Sequence, residues 1–254
     1  MQSILKKYEN LFSLNSELKN LGDSLFVGAP WLKLGESREN RKILFLIYAM
    51  AKASKTQLSI LTLAERGLGQ DAGVLTRVLF ELSITTLYIL DDKSEVRAKR
   101  FHDHDWVLRA YLYKKISDPK LAYSASLPDT PIQEIQKEAL KIKAKYPGMR
   151  DDQWSDKSLE SMAKSVDRSL RYAIAYRLQC LLAHPNARNI RNYFLEEKNR
   201  SITVDAGMNE EWVRESLILA FESLFDIVMA WNEYFNLGAE RKLKILKNKH
   251  TKIS

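Results

Sequence analysis

The segment from Asp71 to Leu90 constrains the fold more than any other part of this chain. Its Val74, Leu75, Val78, Leu79, Leu82, Ile84 and Leu87 fall on most faces of a helix, not on a single stripe. Such a helix is stable in water only when neighbours cover it all round, so it is expected at the centre of a helical assembly. Upstream, Gly67-Leu68-Gly69 reads as the C-cap of a preceding helix and a short turn.

The remainder of the chain can supply those neighbours. Residues 1–21 place Leu5, Tyr8, Leu11, Phe12 and Leu18 at helical spacing, then break at Gly22 and at Gly28-Ala29-Pro30. Helices are predicted over about 37–66, from a Ser94 cap to about 116, from Thr130-Pro131-Ile132-Gln133 to Tyr146, from about Ser158 to His184, and from Asn209 to Phe235. Residues 193–205 are the one strand-like region, where Tyr193-Phe194-Leu195 and Ile202-Thr203-Val204 flank a polar turn and predict a small hairpin. With only 9 Gly and 6 Pro, no repeat and no low-complexity linker, the expectation is all-α: a single-domain bundle of long antiparallel helices over 1–240, followed by a basic tail at 241–254.

Charge and cysteine content narrow the classes of function. Six of the net +8 charges lie in the tail, on Arg241, Lys242, Lys244, Lys247, Lys249 and Lys252, which leaves only +2 on the first 240 residues. The body is therefore not a broadly basic surface, and the tail reads as a solvated, frayed helix end or as a non-specific contact for phosphates. The single Cys180 excludes an intrachain disulfide framework and fits a reducing compartment. Lys6 and Lys7 interrupt the first apolar residues, and the longest apolar run, Ile43 to Ala51, is far short of a membrane span. A cytoplasmic protein with no membrane contact is expected. The chain carries no Gly-rich phosphate loop, no Gly-x-Ser-x-Gly elbow and no Cys-x-x-Cys pair, and no cofactor is expected.

The candidate chemistry sits near the end of the helix predicted over 158–184. Tyr172, Tyr176, Cys180 and His184 recur every four residues and form one polar-edged stripe on a helix. Arg177 lies two turns before His184 on nearly the same side, and Pro185 stops the helix so that the imidazole sits at its C-terminal end. An Arg and a His held together in this way can bind and cleave a phosphodiester, or they can close a packed, hydrogen-bonded helix end. The spacing Arg-x4-6-His is weakly specific: this chain has three matches, Arg177 with His184 and Arg97 with His102 and His104, where chance supplies about 0.8. His102-Asp103-His104-Asp105 offers ligand-type side chains, but successive helical residues point about 100° apart, so no metal site is expected. Arg97, His102 and His104 read as a polar helix face near a site or interface. Arg77 and Glu81, four apart on the apolar central helix, are either a structural ion pair or partners of His184, with Arg77 binding phosphate and Glu81 orienting the imidazole.

Three blocks resemble a family of uncharacterised, mainly bacterial helical proteins known only as a domain of unknown function. One block runs from Gly67 through Asp71-Ala72, Leu75 and Arg77 to Glu81, matching Gly-x3-Asp-Ala-x2-Leu-x-Arg-x3-Glu; another is Leu90-Asp91-Asp92 with Arg97 and Arg100. The third is Trp154-Ser155-Asp156-Lys157-Ser158 with the tyrosine stripe, Cys180 standing where the family usually has Ser, and His184-Pro185. That family in turn is similar to the HEPN superfamily of helical domains. The resemblance implies a metal-independent endoribonuclease of toxin–antitoxin or anti-phage defence systems, acting on RNA, transfer RNA included. It implies a homodimer in which the Arg-x4-6-His helix end meets its copy, with an antitoxin or defence-complex protein as a further partner. It assigns catalysis to His184 and Arg177, with Tyr176, Arg77, Glu81, Arg97, His102 and His104 as binding or orienting residues. Active HEPN members usually have a polar residue after the Arg, and this chain has Leu178.

Overall fold

The protein is described by a computed structural model covering residues 2–29, 40–116, 131–184, 194–196, 202–204 and 207–254. The described residues form a helical bundle: α1 (Gln2–Lys7), α2 (Glu9–Gly28), α3 (Arg41–Glu65), α4 (Gly69–Leu90), α5 (Val96–Ile116), α6 (Ile132–Lys145) and α7 (Leu159–Ser165), then α8 (Ser169–Arg171), a π-helical turn (Tyr172–Tyr176) and α9 (Arg177–Ala183), and finally α10 (Val213–Phe235) and α11 (Glu240–Thr251). Between α9 and α10, β1 (Phe194–Glu196) and β2 (Ile202–Val204) pair antiparallel, with Leu195 opposite Thr203.

The central position of α4 follows from its composition. It packs on α3, α7, α9 and α10, and Ala72, Leu79, Ile84 and Ile89 are fully buried. By length and apolarity it is the one described helix that could cross a membrane; here other helices cover more than half of its most apolar window. The turn before it is a Schellman cap. Gly67 takes φ +73°, Gly67 N–H donates to Ala64 O and Leu68 N–H donates to Leu63 O, so the last carbonyls of α3 are satisfied within the turn. Asn209 N–H donates to Gly67 O, which ties this turn to the start of α10. Gly69 permits the crossing, since a Cβ there would lie 2.0 Å from Glu211 O.

Three features of the molecule differ from what its sequence predicts. The helix expected from Ser158 to His184 is broken after Ser165: Asp167 adopts φ +58°, and Arg168 and Arg171 turn onto Asp226 of α10, at 3.0 Å for both Arg168 bonds and 2.6 Å for Arg171. A buried carboxylate that meets two guanidiniums outweighs continuation of the helix. The start of α5 is capped by Asp92 instead of Ser94; the Asp92 carboxylate accepts from Ser94 N–H, the Ser94 hydroxyl and Arg97 N–H. Burial alone would raise the Asp92 carboxyl, but these donors outweigh it and hold the group at about 2.

The C-terminal segment is an ordered helix rather than a frayed end. In α11, Leu243, Leu246 and His250 are buried, and the His250 ring stacks on Phe221 at 4.1 Å between centroids. Lys247 bonds Glu222, and His250 Nδ1 stands 3.1 Å from the same carboxylate, which also receives Arg171 from α8 at 2.7 Å. Glu222 therefore joins α8, α10 and α11 at one point.

Candidate functional site

Four side chains, two from α4, one from the π-helical turn and one from the C-cap of α9, meet where α9 ends against α4. Arg77 and Glu81, one turn apart on α4, face Tyr176 of the π-helical turn and His184, the residue that caps α9. Arg77 Nε donates to Glu81 Oε1 at 3.1 Å, and Nη2 donates to the Tyr176 hydroxyl at 3.3 Å. The Tyr176 hydroxyl in turn donates to Glu81 Oε1 at 2.8 Å. The third guanidinium nitrogen, Nη1, lies 3.3 Å from His184 Nε2. A guanidinium only donates, so this contact makes Nε2 the acceptor and places the ring proton on Nδ1.

Local backbone structure explains why the four meet. His184 is the C-cap of α9 with φ −122° and ψ 139°, the extended conformation imposed on a residue that precedes proline. The imidazole thus leaves the helix axis at an exposed corner, beside the carbonyl end of the helix dipole. The π turn widens the helix under the tyrosines; their rings stack at 5.0 Å and 21°, and Tyr176 lies 5.6 Å from Phe80 of α4. This packing aims the Tyr176 hydroxyl at Arg77 and Glu81. At Gly73 a Cβ would come within 2.8 Å of Leu182 Cδ1, so glycine lets α9 seat closely on α4.

The electrostatics follow from this enclosure. Burial, and then the hydrogen bond to the Glu81 carboxylate, push the Tyr176 phenol far above its ordinary value, so it stays a neutral donor. Arg77 keeps a firm positive charge: partial burial opposes it, but the bond to Tyr176 and the Glu81 carboxylate prevail.

The predicted residues fall into separate groups. Arg77, Glu81, Tyr176 and His184 are brought together. Arg177 is not: it points into solvent, pairs with Glu160 at 3.4 Å and lies over the Tyr172 ring at 5.9 Å. The expected contact between Arg177 and His184 is not formed within the chain, because the π turn and the outward extension of His184 direct the two side chains apart. Arg97, His102 and His104 stand in other surroundings. Arg97 lies 3.9 Å over the Tyr88 ring and bonds Tyr88 O and Asp91. His102 Nε2 is 3.1 Å from Arg41 O, with its pKa lowered chiefly by burial, and His104 Nε2 is 3.0 Å from Arg150 O. These three fasten α5 to its neighbours. Among the described residues no cluster of three or more His, Cys, Asp and Glu side chains could hold a metal ion.

Two sets of contributors are absent from the sequence reading. Glu160, the partner of Arg177, has no sequence signal. Glu222 and Asp226 do have one, charged side chains four apart within the apolar stretch Leu217–Trp231, the same spacing that singled out Arg77 and Glu81.

A family model described as a family of unknown function, DUF5677, matches residues 44–202. This chain belongs to DUF5677. The matched span holds Arg77, Glu81, Tyr176, Arg177 and His184 and ends before α10 and α11. Family membership agrees with the helical architecture and carries no activity with it. No curated protein and no solved structure matches the chain.

Proposed function

We propose that this protein is a HEPN-like, metal-independent endoribonuclease, a toxin or effector of bacterial anti-phage defence or of a toxin–antitoxin pair, whose working cation is Arg77. The observation that carries this reading is the 3.3 Å contact between Arg77 Nη1 and His184 Nε2 at an exposed helix end, with Arg77 fixed from behind by Glu81 and Tyr176. A guanidinium oriented by a carboxylate and a phenol is a preorganised partner for a phosphate oxygen. When a phosphodiester enters, its non-bridging oxygens draw Nη1 away and free the His184 Nε2 lone pair. His184 then takes the proton of the RNA 2′-hydroxyl, the 2′ oxygen bonds to phosphorus, the bond to the 5′ oxygen breaks, and that oxygen takes a proton from solvent. The products are a 2′,3′-cyclic phosphate and a 5′-hydroxyl.

The reading is tested by incubating labelled RNA, transfer RNA included, with purified protein in EDTA and analysing the new ends. Cyclic phosphate ends from the wild type and none from His184→Ala support it. Intact RNA with folded, inhibitor-free protein counts against it.

A second reading is favoured by a specific feature of the same helix. Leu170, Ile174 and Leu178 are 73 %, 57 % and 37 % exposed and follow one another at four-residue intervals. An apolar seam of this kind is a surface for another protein chain. Under the first reading it holds the two copies of a homodimer. Under the second it holds a different partner, such as an antitoxin or a defence-complex protein, and the Arg77–His184 cluster is a structural network without turnover. Analytical ultracentrifugation of Ile174→Asp separates self-association from a purely heterologous surface.

A further inference from the structure

We infer that α11 is a nucleic-acid rail, a rigid basic helix face that holds the sugar–phosphate backbone of a bound strand. The inference deepens the ribonuclease reading by naming where the substrate lies away from the cleaved bond, and it rests on that reading for its RNA. Around the α11 axis the buried residues Leu243, Leu246 and His250 occupy one side. At 100° per residue, Arg241, Lys244 and Lys252 fall on the opposite side, exposed, along about 16 Å of helix.

None of these three cations has an ion pair among the described residues, whereas Lys247 is bound to Glu222 and Lys249 stands 3.4 Å from Glu17. Lys242, at the edge beside Lys249, is likewise exposed without an ion pair among the described residues, and the cations on the outer face are left for solvent or a ligand. The face is also held stiffly, by the His250–Phe221 stack and by Glu222. A fixed row of cations binds a polyanion with less loss of side-chain and backbone freedom than a disordered tail does. Glu222 fixes α11 to the segment that leads into the π-helical turn, because it binds both Lys247 of α11 and Arg171 of α8.

The alternative polyanion is an anionic membrane surface. Interfacial helices bury an apolar face in the lipid. In α11 the apolar face is already used against α10, and Ile245 is the one large apolar side chain it exposes. No aromatic ring stands on the outer face, so contact is with phosphates and independent of sequence.

The experiment is fluorescence anisotropy of a labelled 2′-deoxy oligonucleotide across a salt series, with wild type and with Arg241→Gln/Lys244→Gln/Lys252→Gln. The 2′-deoxy strand lacks the attacking hydroxyl and stays intact whether or not the protein is a nuclease. Loss of three backbone contacts lowers the slope of log K against log salt by about 2 and weakens binding at every salt concentration. A variant with unchanged slope and affinity, at an unchanged melting temperature, overturns the rail. Wild-type binding to phosphatidylserine vesicles but not to the strand overturns it in favour of a membrane. Failure of RNA cleavage with the slope effect intact removes the nuclease reading and leaves the rail standing.

Discussion

Arg77 makes three contacts with three different residues, and each uses a different nitrogen of its guanidinium. Lysine cannot reproduce that fork. Arg77→Lys is therefore expected to keep the fold but lose most of the cleavage activity, and Arg77→Ala to lower kcat by about 100-fold or more, the scale of removing one preorganised donor. Glu81→Gln tests the support behind it. It keeps a hydrogen-bond acceptor but removes the charge that opposes Arg77, so a larger fall in kcat than in thermal stability is predicted. The i,i+4 spacing made the Arg77–Glu81 pair legible in the sequence. The choice of Arg77 over Arg177 as the neighbour of His184 was not, because it depends on a π turn and on the extended backbone before Pro185.

At the scale of elements, what periodicity controls was legible and what distant charges control was not. The centrality of α4, the end of α3 at Gly67 and a long helix reaching Phe235 follow from apolar spacing and capping residues, whereas the start expected at Asn209 falls instead at Val213, after Trp212 in the left-handed region. The break after Ser165 is set by Asp226, 58 residues downstream of Arg168, and no local pattern announces it. Asp226 is 4 % exposed and holds two arginines, so Asp226→Ala is predicted to destabilise the fold by about 3 kcal/mol in urea unfolding. The crossing of α4 with the start of α10 gives a second test. Gly69→Ala places a Cβ against backbone, which cannot yield as a side chain can, and is predicted to cost about 2–3 kcal/mol. Gly28→Ala, where a Cβ meets nothing within 4 Å, is predicted to be neutral or slightly stabilising and serves as its control.

Over the whole molecule, a small set of charged groups holds the C-terminal helix to the bundle, and this sets the response to acid. Burial alone would raise the Glu222 carboxyl; the His250 imidazole and Lys247 ammonium beside it, with the charge of Arg171, outweigh that and hold it at about 2 against an ordinary 4.5. Asp92 is depressed in the same direction. In both cases the unfolded chain takes up protons at a higher pH than the folded one. Their contribution to stability is thus complete above about pH 4.5 and is lost as the pH falls towards 2. Urea midpoints are predicted to fall through that window, and Glu222→Gln to lower stability at neutral pH while flattening the acid dependence.

The same docking turns what reads as a loose basic tail into a fixed surface. The sequence placed the charge at 241–254 but not its attachment, since the buried Leu243, Leu246 and His250 are outnumbered by lysines and arginines in that stretch. The Arg77–His184 pair is probed by single-turnover cleavage of labelled RNA in EDTA by wild type, His184→Ala, Arg77→Ala and Arg177→Ala. Loss of cleavage is expected in His184→Ala and Arg77→Ala, with a less than tenfold change in Arg177→Ala. Full activity in Arg77→Ala, with Arg177→Ala as inactive as His184→Ala, would make Arg177 and not Arg77 the working cation.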